Sequence, residues 1–192
     1  PEELAELGIT VHLIKGYGDT AVAECAIALM WSAARGIAEM DREMRAGNWL
    51  RDDGMQLTGK TLGLIGFGGI AAEVARIALG SGMRVIAWNR SPKKFPKVQF
   101  VEIDELLTEA DVVSIHLLLN DETRGLVSRS YIEAMKPGAI LINTARGAIV
   151  DEEAMIEALK SGQLRHAGLD VFNIEPLPAD HPLTRIPNVT LS

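Results

Sequence analysis

Apolar positions along this chain recur in two patterns, a helical spacing near 3.6 residues and short unbroken apolar runs, and the switching between them lays out the elements. The stripe Val22, Cys25, Ala26, Leu29, Met30, Ala33, Ile37, Met40 and Met44 predicts one long helix over residues 20–45. Its first half is apolar on the remaining faces too, through Ala23, Ile27, Ala28 and Trp31. A helix of that kind is buried on more than one side, so a second domain or a second subunit is expected to cover it. Residues 9–14 read as a short β-type run ahead of the helix, and residues 47–59 as a connecting loop.

From Thr61 onward strand and helix alternate. Strands are predicted near 61–65, 84–88, 112–117, 139–143, 166–171 and 188–192, and helices near 69–80, 103–109, 129–135 and 152–160. Runs such as Val112-Val113-Ser114-Ile115 are unbroken, as expected of strands covered on both faces. The last helix is signed at both ends by Asp151 as cap, Glu152 and Glu153 in the first turn, Lys160 in the last and Gly162 beyond. Such alternation predicts an α/β fold with a doubly wound parallel sheet, whose ligands sit at the carboxyl ends of its strands.

Four strand ends carry candidate chemistry. Residues 60–71 hold Gly66, Gly68 and Ala71 in a Gly-x-Gly-x-x-Ala spacing, after which Ile70, Val74, Ile77 and Ala78 mark one helical face. The first glycine permits a tight turn, the second lets the backbone approach a pyrophosphate, and the third position lets helix and strand pack closely. Unpaired N–H groups at the helix start would face the anion. About 20 residues on, where a carboxylate would bind ribose hydroxyls and repel a 2′-phosphate, stands Asn89, followed by Arg90 and Ser91. A planar donor fork and a hydroxyl suit phosphate, so NADP is expected slightly ahead of NAD. Arg146, after Asn143-Thr144-Ala145, can enter the cleft and clamp a substrate carboxylate, and Glu175, after the next strand, can orient a histidine acid/base.

Composition narrows the classes. The chain has 192 residues, 47% hydrophobic and 23% charged, consistent with a single globular domain. A net charge of −7 disfavours a general nucleic-acid or anionic-membrane surface. One cysteine allows no internal disulfide, and Cys25, on an apolar helix face, reads as a core thiol. The apolar run 21–34 is too short to span a bilayer, and Pro1-Glu2-Glu3 does not resemble the start of a signal peptide, so cytoplasmic residence is the default.

The sequence resembles the D-isomer-specific 2-hydroxyacid dehydrogenases. The resemblance runs through Val22-Ala23-Glu24, residues 57–63, the glycine turn, residues 110–116, Met135-Lys136-Pro137-Gly138, Asn143-Thr144-Ala145-Arg146-Gly147, and Leu169-Asp170-Val171-Phe172 with Glu175-Pro176. It implies a Rossmann-type cofactor domain of a two-domain enzyme over residues 1–192, with 1–50 as leading strand and interface helix and 57–192 as core. It implies that Arg146 holds the substrate carboxylate and that Glu175 belongs to an Arg–Glu–His set. Gly69 and Ile70 would contact the pyrophosphate. Thr20, His116, Leu117, Thr123, Thr144 and Ala145 would line the cofactor, and Asp170 would face the nicotinamide. The activity implied is NAD(P)-dependent reduction of 2-oxo acids such as glyoxylate or hydroxypyruvate. A homodimer through residues 20–45 is expected from the apolar faces of that helix. A dinucleotide-sensing protein like the C-terminal-binding corepressors is the alternative, disfavoured by the presence of both Arg146 and Glu175.

Departures from the family pattern are informative. Asn89 replaces the usual acid, and Leu118 stands where the family commonly has Pro. The family's catalytic histidine falls beyond Ser192, and its substrate domain is also outside these residues, so the chain alone is expected to bind without turnover. Of the four histidines, His12 falls on the first run, His116 closes a strand near the cofactor, His166 opens a strand, and His181 reads as a loop residue.

Overall fold

The structure, a computed structural model, describes residues 4, 7–12, 14 and 16–192. Its helices are α1 (Asp19–Arg35), α2 (Ile37–Arg45), α3 (Gly69–Gly80), α4 (Ile103–Glu109), α5 (Arg129–Ala134) and α6 (Glu152–Ser161). The strands are β1 (Thr61–Ile65), β2 (Arg84–Trp88), β3 (Val98–Phe100), β4 (Val112–Ile115), β5 (Ala139–Asn143), β6 (Leu164–Leu169) and β7 (Val189–Leu191). All seven pair in parallel in the order β3-β2-β1-β4-β5-β6-β7, so the direction of winding reverses between β1 and β4. That reversal opens a crevice at the carboxyl edge.

Both sheet faces are covered, which is why β1, β4 and β5 are buried at every position. Side chains alternate between two cores. Ile65, Val113, Ile115 and Leu141 pack with Leu106 and Leu107 of α4 and Met155 and Leu159 of α6. Leu62, Leu64, Ile140 and Ile142 pack with Leu29 and Met30 of α1 and Val74 and Ala78 of α3. At α6, Asp151 Oδ1 accepts the Ala154 N–H at 3.0 Å and Gly162 takes φ 82° beyond the last turn, as the sequence predicts.

Four expectations are corrected. The single helix over 20–45 is two, bent by 64° at Gly36, whose φ of 64° is left-handed and whose N–H closes α1 onto Ser32 and Ala33 carbonyls. The bend lets α1 lie on the sheet and sends α2 outward, where Arg42 donates to the Pro187 carbonyl at 2.8 Å and none of its residues is buried. The apolar first half of the helix is therefore covered mainly by the chain's own sheet and α3. The run over 9–14 forms no strand among its described residues, where Ile9, Val11, His12 and Ile14 are exposed; Leu13 and residues 1–3 lie outside the described set. β3 was not predicted, since three half-exposed residues on a sheet edge carry no periodicity. His166 does not open its strand; it is buried within β6.

Candidate functional site

The turn from β1 to α3 is shaped by its glycines. Gly66 has φ 89°, and a Cβ there would lie 2.7 Å from both the His116 carbonyl oxygen and Leu117 Cδ2. Its N–H donates to the Trp88 carbonyl at 2.9 Å, and the next N–H, of Phe67, donates to Asn89 Oδ1 at 3.0 Å. Asn89 in turn donates to the Ser91 carbonyl at 2.8 Å, so the residue at the end of β2 fastens the tip of the glycine turn. Gly68 differs: a Cβ built on it meets no atom within 4 Å among the described residues. Packing within the chain gives no reason for glycine there, whereas an approaching ligand would.

A cavity of about 450 Å³ opens beside this turn at the carboxyl edge. Its wall is formed by Asp19 and Val22 of α1, Gly68 to Ala71, Ile115 to Leu119, and Thr144, Ala145 and Arg146. Asn143, buried at the end of β5, shapes the last of these segments by accepting the Ala145 N–H at 3.0 Å and donating to the Arg146 carbonyl at 3.0 Å. Thr144 Oγ1 is buried with no hydrogen-bond partner among the described residues. Arg146 is exposed and donates one Nη1–H to the Ala145 carbonyl at 2.6 Å, leaving its other donors available. His116 Nε2 lies 2.9 Å from Ser114 Oγ, and burial pushes its imidazole down to about 4, so the ring is neutral at pH 7.

A second loop meets the Arg146 segment. A Cβ on Gly147 would fall 2.3 Å from the Phe172 carbonyl carbon and 2.6 Å from the Asn173 nitrogen, so the two loops touch backbone to backbone. Within the second loop, Glu175 Oε1 accepts the Phe172 N–H at 3.0 Å. Asp170 accepts from the Ser192 hydroxyl at 2.9 Å. Glu175, Asp170, Thr20 and Thr123 are not on the cavity wall. Thr20 is exposed one position after Asp19 of the wall, and Thr123 donates to the Leu118 carbonyl at 2.6 Å, which pins the loop that supplies Leu117 to Leu119. Asn89, Arg90 and Ser91 line a separate depression of about 600 Å³ with Trp88, Lys93 and Glu105. Arg90 is not free there; it pairs with Glu122.

A family model for the NAD binding domain of D-isomer specific 2-hydroxyacid dehydrogenases matches residues 27–192. The chain belongs to that family. It is 43% identical to a glyoxylate reductase of Aeropyrum pernix over 97% of its own length and 59% of that protein's. A hydroxypyruvate reductase of Thermotoga maritima is likewise 43% identical, over 93% of this chain and 59% of the relative. A solved structure from Thermus thermophilus superposes with a TM-score of 0.94 at 46% identity, covering all of this chain and 62% of the other. The chain thus spans about 60% of the length of these reductases. Solved relatives include a D-lactate dehydrogenase with NAD+ from Lactobacillus jensenii, 31% identical with TM-score 0.89 over 100% of this chain and 63% of that one. Another, a D-isomer specific 2-hydroxyacid dehydrogenase from Xanthobacter autotrophicus Py2 with NADPH, is 32% identical with TM-score 0.85 over 95% of this chain and 77% of that one.

The residues present fit the dinucleotide that this 2-hydroxyacid dehydrogenase family binds. Gly68 leaves space beside the N-terminus of a twelve-residue helix, and Thr144 offers an unused hydroxyl in the same cavity. Two polar contributors escaped sequence reasoning. Asn143 has a signal, an amide buried at a strand end, whereas Asp19 lies one residue outside the predicted helix and joins the site only through the placement of α1. His181 is not turned to Glu175: its Nε2 lies 3.3 Å from Glu152 Oε1, and its Nδ1 accepts the Leu183 N–H at 3.3 Å. Cys25 is half-buried rather than in the core. Burial and the nearby Asp170 charge raise its thiol above the usual value, while Ser192 opposes them, so it is a poor nucleophile at neutral pH.

Proposed function

We propose that the chain binds a nicotinamide dinucleotide across the carboxyl edge of its sheet and that the protein built on it reduces a 2-oxo acid to the D-2-hydroxy acid. The observation that carries this reading is the unpartnered, buried Thr144 hydroxyl, which shares one cavity with the open position at Gly68 and with Arg146. A reduced nicotinamide, when bound, supplies the hydride. Arg146 would hold the substrate carboxylate through its remaining donors and polarise the adjacent carbonyl. Glu175, fixed through the Phe172 N–H, is the carboxylate that would orient a proton-donating histidine. Glyoxylate and hydroxypyruvate, the substrates in the relatives' names, are the acids to try first. NADPH is expected to serve at least as well as NADH, because Asn89 puts no negative charge at the ribose site. The exposed Ile37 and Met44 of α2, with Trp49 and Leu50 after it, are the surface we assign to a second copy.

Fluorescence titration of NADH and NADPH with the 192-residue chain tests the binding. Saturable binding, lost in Gly68→Val, is expected; absence of binding by the unaltered chain would refute the reading. The chain alone is expected to bind without oxidising NAD(P)H in the presence of glyoxylate or hydroxypyruvate, since both ring nitrogens of His181 are engaged away from Glu175. Turnover abolished by His181→Ala would overturn that placement. In the full-length protein Arg146→Ala should lower kcat/KM by more than about a hundredfold.

A further inference from the structure

The start of α3 has a carboxylate beside it. Asp19, in the first turn of α1, projects its carboxylate onto Gly69, the first residue of α3. A Cβ at Gly69 would lie 1.8 Å from Asp19 Oδ2 and 2.6 Å from its Cγ, so the carboxylate occupies the space that a side chain would take. It is part of the wall of the same cavity as Gly68 and Thr144. It also lies at the start of its own helix, where its N–H donates to the Gly16 carbonyl at 3.3 Å. The carboxylate thus stands in the first turn of α1 and beside the first residue of α3, where the partial positive charge of a helix N-terminus favours a negative one.

We infer that Asp19 is a resident anion beside the N-terminus of α3 that opposes the cofactor's pyrophosphate there and so sets the affinity of the cleft for dinucleotide. This rests on the dinucleotide reading of the cleft. The physical ground is that the N-terminus of α3 carries about half a unit of positive charge, which draws a phosphate towards the place beside which the Asp19 carboxylate already lies. A pyrophosphate approaching Gly68 and Gly69 must displace the carboxylate or share the site with it at close range, and like charges there repel. Either course weakens binding. Gly69 is then required twice, to admit the phosphate and to seat the carboxylate that competes with it.

The experiment titrates ADP, adenosine, NADH and NADPH against the unaltered chain, Asp19→Asn and Asp19→Ala, with melting temperatures recorded for each. ADP, NADH and NADPH are expected to bind about five- to tenfold more tightly to both variants, with adenosine unchanged because it carries no phosphate. Without ligand, both variants should melt slightly lower, since the helix has lost its counter-charge. The contact is checked separately: Gly69→Ala should lower the melting temperature less in the Asp19→Ala background than in the unaltered chain. Unchanged or weaker binding of ADP and NADH by both variants, with the unaltered chain binding normally, would overturn the role of Asp19 alone. Equal losses from Gly69→Ala in the two backgrounds would overturn it too. If no chain binds any of the four, the dinucleotide reading falls and this inference with it.

Discussion

At the residue scale, the site depends on polar side chains whose partners are backbone groups. Asn143 satisfies Ala145 N–H and the Arg146 carbonyl at once, from a position only 2% exposed. Asn143→Ala would leave both without their side-chain partner and is expected to cost about 2–3 kcal/mol in urea unfolding. Dinucleotide affinity should fall with it, because Thr144 and Arg146 lose their fixed loop; unchanged affinity would show that the loop is held by other contacts. Arg90 and Glu122 illustrate the opposite case, a pair whose side chains are 76% and 70% exposed and which solvent weakens. A 2′-phosphate can exchange with such a partner. Glu122→Gln should therefore tighten NADPH about threefold and Arg90→Ala weaken it by at least as much, with NADH nearly unaffected in both. Equal effects on the two cofactors in a titration would place the 2′-phosphate elsewhere.

Contacts between whole elements decide how the two catalytic candidates relate. Arg146 follows β5 and Glu175 follows β6, and their loops meet at Gly147, where any side chain would run into the Phe172 backbone. Gly147→Ala must push one loop off the other. The expected result in the full-length protein is a kcat loss of more than about tenfold with dinucleotide KM little changed, and a stability loss of about 1–3 kcal/mol. A fall in KM alone would contradict it. The helices at the chain's start show a related division. α1 is covered by the sheet and α3, so of the helices at the chain's start it is α2, with the residues after it, that exposes large apolar side chains. Sedimentation of the chain should show a concentration-dependent dimer that Met44→Glu disrupts, and a clean monomer at every concentration would refute that assignment.

For the molecule as a whole, one buried and one half-buried histidine tie stability to pH. His166, hydrogen-bonded to Thr190 Oγ1 at 3.0 Å, is pushed down to about 4 by burial first and then by the Arg165 and Arg42 charges, with Asp52 opposing. His116 is pushed to about 4 by burial. Unfolded, both return to about 6.5, so between pH 6.5 and 4 the unfolded chain binds more protons than the folded one. Stability is then fully present above about pH 6.5 and is lost as pH falls towards 4, with a slope approaching about 1.4 kcal/mol per pH unit for each histidine. Urea midpoints across that range should show the slope, reduced in His166→Gln. A flat profile would mean that the rings are already solvated.

The sequence by itself determined the parallel α/β sheet from Thr61 onward, because strands buried on both faces must be unbroken apolar runs and caps such as Asp151 act within one turn. It also named the glycine turn and Arg146, since those demands are local to one strand end. Only the tertiary structure decided what lies across from what. The bend at Gly36 is a left-handed glycine inside an otherwise continuous helical stripe, which periodicity cannot register. The pairing of Arg90 with Glu122, the engagement of His181 by Glu152 and the seating of Asp19 on Gly69 join residues separated by 29 to 50 positions. Spacing along a chain fixes which face a side chain takes; which charge it meets is fixed by how the elements pack.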